Sequence, residues 1–470
     1  MNYITKLLLV IVLVSAFVAP IIAQENENWN SFTSCYQIRD IYNDEECIWV
    51  GTLGGLVKID KETGEKQVFT TTNSGLNSNF VTSINKDSEN NLWIGTDMYV
   101  ADFQVGNLDS GGLHKWNLDT DEWMAWNETN SQLPSNTIHD IAFDNNGNTY
   151  VASCRGGLLV IDENDVWTVY NRGNSPLNSN NIVSLHIKNG TELWIGLDSQ
   201  FNYDDNISEG GGLFSFIDGE WTNYMNEMVE GDSMTVMDVT ENEDGHIYVG
   251  ASYDGVFSYD GEEFNSVDTP LTGSIRALHF TDNGDFWIGG IEAASHINGE
   301  WTVYNDGNTI MKEDIFEVIN SDENGRILLG SYYYGLFEKE DETSSFELID
   351  LNSDSGSGLP CIHIRAIAAD QNDNLWIASG NNICNGGIGG AVYYDNEDWT
   401  VYGYDTIYDF LVNDISINED RVYFATGNDY DTGGIDVFYE DNWTNYDFDN
   451  GYPFVAADDV VEDTNRNIWS

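Results

Sequence analysis

Short apolar runs, each cut off by a turn rich in Gly, Asn or Asp, follow one another along almost the whole chain. The stretch from residue 138 displays the pattern. Ile138-His139-Asp140-Ile141-Ala142-Phe143 is a first run, Asp144-Asn145-Asn146-Gly147 a turn, and Asn148-Thr149-Tyr150-Val151-Ala152-Ser153 a second run. Arg155-Gly156-Gly157 then leads to Leu158-Leu159-Val160-Ile161, and the turn Asp162-Glu163-Asn164-Asp165 leads to Trp167-Thr168-Val169-Tyr170. Runs this short between such turn formers predict the four strands of an antiparallel meander. Beyond the first two dozen residues no helical periodicity competes with this reading.

The unit repeats. An aromatic residue marks it at Trp49, Trp93, Tyr150, Trp194, Tyr248, Trp287, Trp376, Tyr423 and Trp469, with Leu328 in the remaining slot. The mean period is about 47 residues, the range of repeat architectures. A small residue stands two places after the aromatic, as at Gly51, Gly95, Ala152, Gly196 and Gly330. Converging strands leave little room near an axis, so a large aromatic is expected to need a small neighbour. Strands apolar on both faces imply sheets covered on both sides, as stacked propeller blades are. The fold expected is therefore all-β, a β-propeller of four-stranded antiparallel blades.

Charge narrows the range of partners. Lys and Arg total 17 against 80 Asp and Glu, a formal charge of −63. Such a surface repels phosphates and anionic lipid, which argues against nucleic acid as a partner. The acids are dispersed through the turns, where a solvated surface explains most of them. Lys6 followed by the apolar run Leu7 to Ile22, then Ala23 before a polar stretch, reads as an export signal over residues 1–23. The mature protein is accordingly expected in the periplasm, outside the cell or on its surface. Five cysteines make no disulfide scaffold, and the odd count leaves at least one without a partner in this chain. Cys361 and Cys384 are expected to pair, because both fall on one face of one blade.

Candidate binding residues lie on loops. In a propeller the loops between second and third strands share a face with those joining one blade to the next. Several of the former are long: residues 97–112 carry Tyr99 and Phe103, residues 198–212 carry Phe201 and Tyr203, and residues 427–434 carry Tyr430. Aromatic rings beside carboxylates suit a carbohydrate, which stacks on rings and gives hydroxyl hydrogen bonds to acids. Arg39, Arg276 and Arg365 share one repeat position, directly after the first apolar residue of the innermost strand, and His139 fills it in another repeat. Alternation would turn these side chains toward the central opening, where a partly basic ring would receive an anionic group such as a uronate or sulfate. The competing reading is that Asp40, Asp140, Glu317 and Asp414 neutralise the ring. Calcium would also suit the acidic loops, but no stretch has EF-hand spacing and the sequence assigns no metal ligand. The seven histidines show no zinc-site spacing, and neither a nucleophile elbow nor a phosphate loop is present. No catalytic residue or cofactor is therefore assigned.

The segment Leu133-Pro134-Ser135-Asn136 leading into an apolar strand, with strands ending in Trp-Ile-Gly-Thr as at Asp87 to Thr96, resembles two-component regulator propeller repeats. The copies at Tyr248 and Leu328 depart from the pattern, and Phe264 and Phe346 replace Trp in their last strands. The resemblance implies sensor propellers, often seven-bladed and in tandem, that bind glycans or related ligands; some relatives are secreted or surface proteins. It favours a seven-bladed ring over residues 24–352 and further blades over 353–470, truncated at the C-terminus. One large ring of nine or ten blades is the alternative. Trp29-Asn30-Ser31-Phe32 is expected to be an isolated fourth strand, and signalling or sorting domains are expected beyond Ser470. The function implied is an extracytoplasmic ligand-binding propeller, with a propeller glycosidase or polysaccharide lyase, or an adhesive propeller, as alternatives. Mass spectrometry of the exported protein should find it beginning at Gln24; an intact Met1 would contradict the export reading.

Overall fold

The computed structural model describes residues 37–469 apart from 98–109, 203–206, 229–232, 350–363, 380–389, 408–411, 428–432, 447–456 and scattered stretches of three residues or fewer. The expected export signal, the strand near Trp29 and the Cys361–Cys384 pair lie outside the described residues. Among those described, nine sheets follow one another along the chain, and a two-stranded pair, Val461–Glu462 with Ile468–Trp469, ends the series. Eight of the sheets have four strands in sequence order, and the fourth is enlarged to six. Helix among the described residues amounts to the single turn Met225–Met228. The fold is an all-β propeller with each four-stranded sheet a blade.

Local chemistry accounts for the hairpins. In blade 2 the turn after the inner strand Val81–Lys86 is tied by Asp87, whose carboxylate accepts the main-chain N–H groups of Glu89 and Asn91 and the indole N–H of Trp93. In blade 3 Asp144 accepts from the N–H groups of Asn146 and Asn148 and from the Tyr150 hydroxyl. Side chains that bond their own turn in this way favour the tight reversal. Many of the acids behind the large negative charge are thus hairpin fasteners. The connectors between blades are built as carefully: Asn73 accepts from Thr70 N–H and donates to the Val68 carbonyl, while Ser74 donates to the Thr70 carbonyl.

The blades are held together close to the axis by a bulky residue fitted against a small one. Val81, the first residue of its inner strand, is fully buried, and a Cβ added to Gly51 of blade 1 would lie 3.1 Å from its side chain. The same arrangement recurs between Gly95 and Ile138 at 2.7 Å, Gly196 and Val236 at 2.6 Å, and Gly289 and Phe316 at 3.1 Å. This corrects the reason expected for the small residue. It makes room for the next blade's inner strand, while the motif aromatic fills space farther out, as Trp49 does against Trp116 of blade 2 with ring centroids 5.6 Å apart.

Contacts of this kind run from blade 1 to blade 7 and then return. Gly330 of blade 7 faces Ile38 of blade 1, where an added Cβ would lie 2.6 Å from the isoleucine. Ile41, Val50 and Val57 of blade 1 share one apolar cluster with Leu328 and Leu336 of blade 7. Two amides cross the same seam: Asn43 donates to the Ser321 carbonyl at 3.1 Å and Asn320 to the Ile41 carbonyl at 3.0 Å. Blade 8, next in sequence, packs instead on blade 9 through Trp376, Ala378, Val412 and Phe424. Replacing Gly330 by Val should force the seam apart and destabilise the protein by about 1–3 kcal/mol. Denaturant unfolding measures this, and an unchanged midpoint would contradict the close approach.

Candidate functional site

The repeat position of Arg39 and His139 is set by a backbone irregularity, and Arg276 stands in the equivalent place directly before the strand Ala277–Phe280. In blade 1, Ile38 pairs with Thr52 and Asp40 with Gly51, so Arg39 is an extra residue in the inner strand. The same slip places Thr82, His139, Val183, Met237 and Glu317 in their blades. A bulge re-aims a side chain. This, rather than the simple alternation expected from the sequence, is why the position stands apart from its neighbours.

Around this position the structure brings Arg39 and Arg276 together through Glu317. The Arg276 guanidinium donates to Glu317 at 2.9 Å, and Arg39 lies 4.0 Å from the other carboxylate oxygen. Two guanidiniums share one carboxylate, so the trio keeps one formal positive charge. Arg39 also lies over two rings, 5.6 Å from the Phe80 centroid and 5.4 Å from that of Tyr332. Such cation–π contacts hold the guanidinium flat and leave its edge for a planar anion. Neither Phe80 nor Tyr332 was singled out from the sequence, because each lies one residue outside a strand in a connecting segment.

His139 takes a different role. Its Nδ1 lies 2.7 Å from the Ile182 carbonyl of blade 4, to which it donates. Burial pushes its pKa below the usual histidine value; the Ile182 bond and nearby Asp97 and Asp198 oppose this, and Arg39 adds to it. Thr82 makes the matching bond in blade 2, donating to the Ile138 carbonyl at 2.5 Å. The same rim holds Asp97, which accepts from Thr137, and Asp198, which accepts from Thr235 at 2.7 Å and Asn181 at 2.8 Å. The opening therefore carries positive charge at blades 6 and 1, on either side of the Glu317 carboxylate of blade 7, and further carboxylates at blades 2 and 4.

Of the remaining candidates, Arg365 occupies the bulge of blade 8 and does not join this cluster. Phe201 lies in a strand, Gln200–Asn202, that pairs with the start of Ile207–Ile217, so its loop is a hairpin extending blade 4. Tyr99, Phe103, Tyr203 and Tyr430 fall outside the described residues. No group of three or more His, Cys, Asp or Glu able to hold a metal ion occurs among the described residues. Cys47 and Cys154 are free thiols.

One position beyond the bulge, alternate blades carry an aspartate; the competing reading from the sequence offered Asp40 and Asp140 as neutralisers of the basic ring and did not single out Asp238. The structure corrects this. Asp40 accepts the N–H of Ile41 at 2.8 Å and, across the seam, that of Ile84 at 2.6 Å. Asp140 does the same for Ile141 and Leu185, and Asp238 for Val239 and Leu278. The three fasten blades 1 to 2, 3 to 4 and 5 to 6. Loss of hydration raises Asp40 and Asp238 to about 6 and Asp140 well above the usual value; main-chain hydrogen bonds oppose the rise. Repulsion by Asp238 adds to it for Asp40, and repulsion by Asp40 and Asp238 for Asp140.

Residues 75–98, which hold the inner two strands of blade 2, match the family model for the two component regulator propeller. Over those residues the chain is similar to a two component regulator propeller. No curated protein matches it. Among solved structures it is similar to the extracellular domain of BT4673 from B. thetaiotaomicron, called a one component system in one structure and a hybrid two component system in another. The first shows 18% identity, a TM-score of 0.50, and coverage of 94% of this chain and 64% of that one. The second shows 18% identity, a TM-score of 0.52, and coverage of 94% and 57%. This chain thus spans less than two thirds of either structure, and the likeness is one of fold.

A raised carboxylate pKa means that the folded protein binds protons more readily than the unfolded one. The stabilisation is complete below the ordinary pKa near 4 and is lost as pH rises through about 6. The propeller should therefore gain stability on acidification from pH 7 to pH 5, on the order of 1–3 kcal/mol from these groups. Asp40→Asn with Asp238→Asn should flatten that rise in thermal unfolding. A rise as steep as in the unaltered protein would assign it to the surface charge instead.

Proposed function

We propose that this chain is an extracytoplasmic ligand-binding propeller of a sensor or surface-binding protein, and that it recognises a carbohydrate at the opening lined by Arg39, His139 and Arg276. The observation that carries the reading is the Arg39–Glu317–Arg276 trio with Phe80 and Tyr332 flanking Arg39. Rings and guanidiniums side by side suit a sugar bearing one carboxylate or sulfate: the ring face meets the aromatics and the acid meets the free edge of an arginine. Asp97 and Asp198 across the opening would accept sugar hydroxyls. Tyr99, Phe103, Phe201 and Tyr203 belong, on this reading, to loops that extend the same face, with Arg365 and Tyr430 serving the later blades. Export follows from the signal-like N-terminus and agrees with the extracellular setting of the BT4673 domain.

A non-catalytic role is supported by the perturbed carboxylates themselves. Asp40, Asp140 and Asp238 have the raised values that acid catalysis needs, yet each accepts two main-chain N–H groups as part of the blade seams. That is a structural use of the shift. Signalling or sorting domains on the same polypeptide belong to this proposal.

Titration with neutral and acidic oligosaccharides tests the site. Arg39→Met with Arg276→Met should weaken binding of acidic oligosaccharides about tenfold or more, the scale for losing a charged hydrogen bond. Arg172→Met, on a connector, should leave it unchanged. Unaltered affinity together with a lowered unfolding temperature would reduce the trio to a structural ion-pair cluster.

A further inference from the structure

The turn between the second and third strands of blade 5 carries an aromatic residue that the fold does not use. Strands Ile247–Ala251 and Gly255–Tyr259 are joined through Ser252, Tyr253 and Asp254. Tyr253 is 84% exposed, the highest value of any large hydrophobic side chain among the described residues. Its φ is +70°, in the left-handed region, where every other non-glycine residue described is Asn, Asp, Glu or Arg. A bulky side chain there strains the backbone, and strain of this kind collects where a residue has a use. Blade 1 closes the same hairpin with Gly54 and Gly55. No packing in blade 5 offsets the strain, since the ring stands in solvent.

Hydrogen bonds fix this turn, and its counterparts in the next two blades, beside the charged opening. The Ala251 carbonyl accepts the N–H of Ile275 at 3.1 Å, and the Ser252 and Ser274 hydroxyls lie 3.0 Å apart, which sets Tyr253 next to the entry of Arg276. The Gly290 carbonyl accepts the N–H of Phe316 at 2.8 Å, which sets Ile291, 57% exposed, next to Glu317. The turn of blade 7 brings the Tyr332 ring to 5.4 Å from the Arg39 guanidinium. An outer arc of Tyr253, Ile291 and Tyr332 thus follows the inner arc of Arg276, Glu317 and Arg39. Each arginine has an aromatic neighbour on its outer side, and the two pairs stand at opposite ends of the arc.

We propose that the opening holds an extended anionic oligosaccharide, with Tyr332 and Arg39 forming one subsite and Tyr253 and Arg276 a second. The proposal rests on the carbohydrate reading of this opening and narrows the ligand to a linear glycan with acidic groups on at least two of its units. Each subsite joins a ring for a sugar face to a guanidinium for a carboxylate or sulfate. Ile291 between them supplies apolar surface for the C–H face of an intervening unit. Linking two contacts on one ligand makes the second intramolecular, so affinity rises with the length of the chain.

Titration calorimetry with uronate and sulfated saccharides of one to six units tests this. The unaltered protein should bind chains of three or more units at least about tenfold more tightly than the single unit. Tyr253→Gly, which suits the turn, should bring that ratio down to about one without lowering the unfolding temperature. Tyr253→Phe should keep the ratio, and so should Met124→Ser, a change at an exposed apolar residue on the outer strand of blade 2. A ratio untouched by Tyr253→Gly would overturn the proposal and leave the arginine site standing, as would equal affinity for one unit and for six. Loss of the ratio only together with a clearly lowered unfolding temperature would make Tyr253 a structural residue and overturn it too. Failure of every acidic saccharide to bind would remove the carbohydrate reading itself, and this proposal with it.

Discussion

The first apolar residue of each innermost strand has to fit into the blade before it, and everything else in the molecule is arranged around that fit. Near the axis the blades approach so closely that a Cβ on the receiving residue would lie 2.6–3.1 Å from the incoming side chain in the seams at Gly51, Gly95, Gly196, Gly289 and Gly330. Real side chains essentially never approach as closely as at Gly95, Gly196 and Gly330, and seldom as closely as the 3.1 Å at Gly51 and Gly289, so a small residue is favoured there. Burying a Val, Ile or Phe side chain contributes roughly 1.5–3 kcal/mol. Repeated at each seam, that term gives the blades their order and spacing. The aspartates that bond the next blade's main chain add direction, since each one accepts an N–H on both sides of its seam.

The same constraint creates the opening. Seating the apolar residue while keeping the next strand in register inserts one extra residue, and that residue is freed from the sheet to face its neighbours across the mouth. Some blades spend it on structure, as Thr82 and His139 do by bonding the carbonyl of the next blade. Others place charge there. Arg39, Arg276 and Glu317 come from three different blades, and only a circuit that brings blade 7 back to blade 1 lets them meet. In a chain of formal charge −63, a site with a net positive trio is a local exception, and its attraction for an anion acts over about a Debye length.

The repeat, the four strands per blade and the all-β class were legible because period and turn chemistry are local properties of the sequence. The bulge was half legible: Arg39, His139 and Arg276 share a repeat position, but only the pairing of Ile38 with Thr52 and Asp40 with Gly51 shows that this position leaves the sheet. Phe80 and Tyr332 were not legible, since their meeting with Arg39 depends on three blades at once. Charge alone offered Asp40 and Asp140 as neutralisers of the basic ring and did not single out Asp238. Their carboxylates are taken up by main-chain N–H groups, a use that leaves no mark on composition or spacing.

The claim most open to direct test is that blade 7 returns to blade 1 across nearly the whole first ring. Methyl-labelled protein allows through-space contacts to be read between Ile41 or Val57 and Leu328 or Leu336, residues far apart in sequence that share one cluster. Cross-peaks between these pairs are the predicted result. Their absence, with the Leu328 and Leu336 methyls meeting Ile367 of blade 8 instead, would mean a larger ring and would contradict the circuit on which the site depends.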